Sequence, residues 1–124
     1  MIRILFLFIL FFSMKVLGQN KLLEVKKYAL NKCINYNYQK IDTTFYKTYK
    51  DASGIQISIN GKFLEDAELK AKIIDYTINT TGLYYLQKNN LYFETGDKNI
   101  IFCNCLNFYE SKKLDEFIKN LLKK

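Results

Sequence analysis

The sequence contains no histidine, no tryptophan and no proline, and only five of its 124 residues are glycine. Without histidine the chain has no Ser-His or Cys-His nucleophile pair, no His-bearing zinc site and no side chain suited to proton transfer near neutral pH. Most ordinary hydrolase mechanisms are therefore excluded, although paired carboxylates or a lysine still could act. We expect a binding or structural protein, not an enzyme, with no catalytic residue, no cofactor and no metal site.

The first 18 residues have the layout of a secretory signal peptide. Arg3 gives a positive start, residues 4–12 form an unbroken apolar run, and Lys15 interrupts it before Val16-Leu17-Gly18. A membrane-spanning helix needs about 20 apolar residues, so an uncleaved anchor or a buried helix is the less favoured alternative. The pattern predicts export with cleavage after Gly18, and no stable membrane anchor afterwards.

The positive charge of the mature chain, residues 19–124, comes from lysine alone. Loss of residues 1–18 removes Arg3 and Lys15 and lowers the formal net charge from +7 to +5. Arginine supplies the bidentate contacts that suit phosphate, so its absence, together with export, argues against a nucleic-acid partner. The ten tyrosines point instead to a protein–protein surface, because tyrosine offers a large contact area with few rotatable bonds.

Three cysteines, Cys33, Cys103 and Cys105, would enter an oxidising compartment, where thiols tend to pair. Cys103 and Cys105 are two residues apart and point about 200° apart on a helix, so they do not readily join each other. One of them is expected to face Cys33, which leaves the other spare. Three reduced thiols in the core are the alternative, and a metal site is incomplete without histidine.

Helical spacing of apolar residues predicts an all-α fold, a small bundle of four to six helices in one domain. The first helix is expected over residues 21–36. The acidic residues Glu65, Asp66 and Glu68 are expected to lie in the first turn of a third helix. Asp42, Asp97 and Ser111 are the expected N-caps of three further helices. The predicted buried stripes are Leu22, Val25, Ala29, Cys33 and Tyr36; Leu64, Ala67, Ala71, Ile74 and Ile78; Ile101, Cys105 and Phe108; and Leu114, Phe117, Ile118, Leu121 and Leu122.

Residues 55–60 are ambiguous between a strand and a helix. Ile55, Ile57 and Ile59 alternate with polar residues between Gly54 and Gly61, which slightly favours a strand. The same residues could instead form a helix that Gly61 ends.

Residues 87–98 show no regular pattern and predict a long loop. Asn89-Asn90 and Gly96-Asp97 are turn signals, yet Leu91, Tyr92 and Phe93 are apolar residues that a plain solvated loop does not need. A loop of this length in a small domain is often functional. The alternatives are that the apolar residues fold back onto the core or that the segment forms a short hairpin.

Three segments resemble the immunity proteins of type VI secretion cell-wall amidases. They are Tyr28-Ala29-Leu30 with Cys33-Ile34; Lys50-Asp51-Ala52-Ser53-Gly54; and Cys105-Leu106-Asn107-Phe108-Tyr109 with Ser111-Lys112-Lys113-Leu114-Asp115. The last segment is the most specific, with the pattern Cys-Leu-x-x-Tyr-x-Ser-x-x-Leu. The resemblance covers about residues 22–122.

The resemblance implies a periplasmic, mostly helical homodimer that occludes the active site of a cognate peptidoglycan amidase. It implies a disulfide between Cys33 and Cys105, with Cys103 as the spare thiol, and it favours a helix at residues 55–60. The family's protruding loop would correspond to residues 87–97, which have no close match to the family's sequences. The partner-binding residues would then be Lys88, Asn89, Asn90, Leu91, Tyr92, Phe93 and Glu94.

The alternative function is that of an exported small helical module that binds another envelope protein or an acidic membrane surface. A small enzyme is the third hypothesis, and it would need a convergent polar pocket.

Overall fold

A computed structural model describes the backbone of residues 2–89 and 98–123 and the side chains of residues 20–89 and 98–123. These residues form one domain, and the predicted all-α bundle with one disulfide is confirmed. In chain order, the elements are α1 (Ile2–Ile41), α2 (Phe45–Tyr49), α3 (Ser53–Asn60), α4 (Ala67–Thr81), a 3-10 helix (Tyr84–Leu86), β1 (Lys88–Asn89), β2 (Lys98–Asn99), α5 (Ile101–Glu110) and α6 (Lys112–Leu122).

α1 is the central helix, against which α3, α4, α5 and α6 all pack. Its buried face contains Val25, Ala29 and Cys33, as the predicted stripe requires. The expected end near Tyr36 is wrong, because α1 continues to Ile41. The core around it consists of twelve buried apolar residues: Val25, Tyr28, Ala29, Cys33, Phe63, Leu69, Ile73, Ile101, Cys105, Phe108, Leu114 and Ile118.

The ambiguous segment at residues 55–60 is helical and belongs to α3, which ends at Gly61. Ser58 is buried, and its hydroxyl donates to the Gly54 carbonyl at 2.7 Å. A serine bonded to its own helix needs no other partner, so it can face α1. Ile55 and Ile59 are left exposed on the other side, at 59% and 49%.

α4 buries a different stripe from the one predicted. The side chains that face the core are Leu69, Ile73, Thr77 and Thr81, whereas Ala67 and Ala71 are exposed. Its apolar residues are spread around the helix, and two threonines take buried positions. The Thr81 hydroxyl donates to the Thr77 carbonyl at 2.7 Å, which removes much of the cost of burying it.

Three of the predicted helix starts have different outcomes. Ser111 caps α6, since its Oγ accepts from the Leu114 backbone N–H at 3.2 Å. Thr44, not Asp42, is the N-cap of α2, and Asp42 accepts from the backbone N–H and the hydroxyl of Thr44. Ile100 is the N-cap of α5. The expectation for Asp97 is wrong, and that residue lies outside the described residues.

The disulfide joins Cys33 of α1 to Cys105 of α5, with 5.8 Å between the Cα atoms, and Cys103 is an exposed free thiol.

The signal peptide predicted at residues 1–18 stays a prediction, since a folded structure does not report whether the chain is cleaved after Gly18. Within the part of the chain that the structure describes, we find no helix with the length and apolar content needed to cross a bilayer.

Candidate partner-binding site

The predicted partner-binding segment begins in β1, which pairs with β2, and we call this strand pair the hairpin. Lys88 pairs with Asn99 and Asn89 pairs with Lys98, in antiparallel register. Short pairing of this kind is one of the alternatives that the sequence leaves open. Five of the predicted site residues lie outside the described residues: Asn90, Leu91, Tyr92, Phe93 and Glu94.

The first foot of the hairpin, residues 84–89, is held to α1 by the side chain of Asn37. This side chain is fully buried. Its Oδ1 accepts from the Tyr85 backbone N–H at 2.9 Å, and its Nδ2 donates to the carbonyls of Thr81 (3.0 Å) and Cys33 (2.9 Å). Asn37 therefore fixes both the end of α4 and the 3-10 helix that leads into β1.

The second foot, residues 98–105, is held to α1 by the disulfide. The Asn99 side chain accepts from the Ile101 backbone N–H at 3.3 Å and so turns the chain from β2 into α5. Ile101 and Cys105 are buried, as the sequence predicts. The Cys33–Cys105 bond then fixes the first half of α5 to the central helix.

The two feet also contact each other through polar side chains. The Asn104 Nδ2 donates to the Gln87 Oε1 at 2.6 Å. Asn104 lies in α5 and Gln87 follows the 3-10 helix, so this bond joins the feet close to the strand pair. It is exposed to water, and we expect it to contribute less to stability than the bonds of Asn37.

Exposed apolar side chains occur on or next to both feet, and we call Leu83, Leu86 and Phe102 the collar of the hairpin. Leu83 precedes the 3-10 helix and Leu86 is its last residue, and they are 66% and 60% exposed. Phe102 in the first turn of α5 is 57% exposed. A large apolar residue at this exposure stabilises the fold little, and several of them near one feature often mark a binding surface.

The electrostatics of the site are mild. Burial raises the pKa of Tyr84 in the first foot, so this phenol stays neutral at physiological pH. Where α1 meets α3, burial and the Lys70 ammonium lower the pKa of Lys32. No three His, Cys, Asp or Glu side chains lie together as metal ligands among the residues that the structure covers.

The sequence analysis did not identify Asn37 or the collar, although Asn37 and Phe102 each left a signal. Asn37 follows Val25, Ala29 and Cys33 in steps of four, so its place on the buried face could be predicted. Phe102 is out of phase with the buried stripe of α5, which places it towards solvent. Leu83 and Leu86 gave no such signal, because their exposure depends on the end of α4.

No family model, no curated protein and no solved structure matches this chain. Its function therefore has to be inferred from its residues and from the geometry of the hairpin.

Proposed function

We propose that this chain is an exported immunity protein that binds a cognate type VI secretion peptidoglycan amidase and occludes its active site. The resemblance of residues 22–122 to that family motivates the proposal. It would act in the periplasm as a homodimer, and neither the compartment nor the dimer is required by the fold itself. Its mechanism is stoichiometric binding, in which no bond is made or broken.

The observation that carries the proposal is a hairpin held at both feet and flanked by exposed apolar side chains. Asn37 holds one foot and the disulfide holds the other. Residues fixed before binding lose less conformational entropy when a complex forms. A fixed base therefore favours tight insertion of the hairpin into a cleft.

In this proposal, the hairpin and its collar contact different parts of the amidase surface. Tyr92 and Phe93, which lie outside the described residues, would fill the amidase cleft and displace water. Lys88, Asn89, Asn90 and Glu94 would make polar contacts at the rim of the cleft, and Leu91 would add apolar area. The collar would pack against the surface around the cleft entrance, where apolar contact excludes water from the polar rim.

The proposal predicts that a neighbouring gene encodes a peptidoglycan amidase. The first experiment replaces residues 89–94 with glycine and serine and measures protection against that amidase. We expect the variant to fold, because the buried core lies outside the replaced segment. We also expect it to lose co-purification with the amidase and inhibition of peptidoglycan cleavage. Unchanged inhibition would remove the hairpin from the mechanism.

A second experiment tests the collar against a matched control surface. Leu86→Ser and Phe102→Ser remove exposed apolar side chains beside the hairpin, and Ile55→Ser removes one of similar exposure from α3. We expect the collar variants to weaken amidase binding by about tenfold or more, as for an interface residue worth over 1 kcal/mol. Ile55→Ser should bind normally.

The alternative function predicts a different pair of results. A protein that leaves amidase activity unchanged but sediments with vesicles of anionic phospholipid would support binding to an acidic membrane surface. Capture of another envelope protein from the periplasmic fraction, without the amidase, would support the module hypothesis.

A further inference from the structure

Both feet of the hairpin are attached to the same turn of α1. The first foot is attached through Asn37, whose Oδ1 binds the Tyr85 N–H. The second foot is attached through Cys33, which is bonded to Cys105. Cys33 and Asn37 are four residues apart, so their side chains lie one above the other on one helix face. This turn therefore sets the separation between the two feet.

The two attachments also share atoms. The Asn37 Nδ2 donates to the Cys33 carbonyl at 2.9 Å and lies 3.9 Å from the Cys33 Sγ, within reach of a weak hydrogen bond to sulfur. A movement of Cys33 that follows loss of its covalent partner would displace the carboxamide of Asn37. The same carboxamide holds Thr81 and Tyr85. Release of the second foot is thus transmitted to the first.

We propose that residues 33–37 form a positioning unit, through which oxidation of Cys33 and Cys105 sets the geometry of the hairpin. Reduction by a dithiol transfers two electrons to the disulfide. The sulfur–sulfur bond breaks, the two cysteines gain protons, and the dithiol becomes a disulfide. The hairpin then loses its fixed base. If the hairpin is the binding element, as proposed above, the chain binds its partner only after it enters an oxidising compartment.

The test is residue-resolved amide hydrogen exchange on the mature chain, oxidised and reduced by a dithiol, under conditions where both forms stay folded. Tyr85 and Asn104 report on the two feet, and Ile73 and Ile118 report on α4 and α6. We expect reduction to speed exchange at Tyr85 and Asn104 by about tenfold relative to the other two, roughly the value of one net hydrogen bond. An equal rise at all four amides would show that the disulfide only stabilises the whole fold, and would overturn the proposal.

Two matched variants test the coupling without reduction. Asn37→Ala removes the bonds to Thr81 and Tyr85, whereas Asn35→Ala removes a buried asparagine that donates to Asn31 of its own helix. In the oxidised protein, Asn37→Ala should speed exchange at Asn104, although that amide does not contact Asn37. Asn35→Ala should leave Asn104 unchanged. Normal exchange at Asn104 in Asn37→Ala would mean that the feet are independent, and the unit would not exist.

These exchange measurements need no partner, so they separate the positioning unit from the proposed function. Coupled exchange without amidase binding would keep the unit and reject the immunity function. Amidase binding that is equal for oxidised and reduced protein, despite coupled exchange, would reject the redox dependence of binding.

Discussion

At the scale of single residues, the most informative side chains are polar and buried. Asn37 is the clearest case, because both ends of its carboxamide are bonded to backbone groups that lie far away in the chain. Apolar spacing alone predicts that a helix ends at a polar residue such as Asn37. The structure shows that it continues the buried face, since its hydrogen bonds offset the loss of water.

Asn37→Asp should make stability depend on pH in a defined direction. The new carboxylate would face the carbonyls of Cys33 and Thr81, and burial with these oxygens raises its pKa above the unfolded value of about 3.9. The protonated acid has one O–H and keeps one of the two hydrogen bonds that the amide donates. The stability of this variant is therefore highest below pH 4 and falls as pH rises through the folded pKa. Urea unfolding should show a loss of about 3 kcal/mol at pH 7 and a smaller loss at pH 4.5. Asn79→Asp, at an exposed position, should show no such trend.

Thr77→Val should stabilise the protein, in contrast to most core substitutions. Thr77 is fully buried, and its Oγ1 has no hydrogen-bond partner among the described residues. Valine has nearly the same shape without the unsatisfied hydroxyl, so the free energy of unfolding should rise by about 1 kcal/mol. Thr81→Val is the control, because the Thr81 hydroxyl donates to the Thr77 carbonyl and its loss should not stabilise. Chemical denaturation of both variants measures the difference, and a fall for Thr77→Val would contradict the prediction.

At the scale of elements, the sequence predicts some buried faces well and others poorly. The stripe of α5, Ile101, Cys105 and Phe108, is buried as predicted, and Phe102, which is out of phase with this stripe, is exposed. In α4 the apolar and small residues are spread around the helix, and two threonines take part in the core, of which Thr81 is bonded to the backbone of its own helix. Apolar periodicity does not detect a satisfied hydroxyl, so it selects the wrong side.

The helix at residues 55–60 is a second case in which apolar periodicity does not determine the structure. Alternation of isoleucine with polar residues is compatible with a strand and with a short helix that touches one neighbour. Packing against α1 favours the helix over the strand. α3 lies along α1 and leaves Ile55 and Ile59 exposed to water. This contact is distant in sequence, and local pattern carries no information about it.

Gly61→Ala should destabilise the connection after α3, for a reason of space. A Cβ atom at this position would lie 2.4 Å from Phe63 Cε1 and 2.8 Å from Glu24 Cβ. The φ angle of −82° is ordinary for any residue, so the cost comes from the clash, at about 1–3 kcal/mol. Gly54→Ala, near the start of α3, is the matched control, where the nearest atom is the Asn31 side-chain oxygen. That carboxamide can turn away, and alanine should be neutral or gain up to about 1 kcal/mol. Thermal or urea unfolding that ranks Gly54→Ala below Gly61→Ala would reject this account.

At the scale of the whole molecule, the architecture could be predicted, but the way the hairpin is held could not. Helical spacing gives the bundle, and the cysteines give a bond between the first helix and the penultimate one. The joint attachment of both feet to residues 33–37 depends on contacts between residues 44 and 48 positions apart and on a disulfide across 72. No local pattern encodes such a convergence, and only the packed chain brings these groups together.

The disulfide should account for a large part of the stability of residues 19–124. Cys33 and Cys105 are 72 residues apart, and closing a loop of this size stabilises a fold by about 4 kcal/mol in the chain-entropy model. A domain of this size has only about 5–15 kcal/mol in total. We expect the double variant Cys33→Ala with Cys105→Ala to lose most of this amount in urea unfolding of residues 19–124. Cys103→Ala should unfold like the parent, because that thiol is exposed and unpaired. A double variant within 1 kcal/mol of the parent would mean that the packing of α1 against α5 holds without the covalent bond.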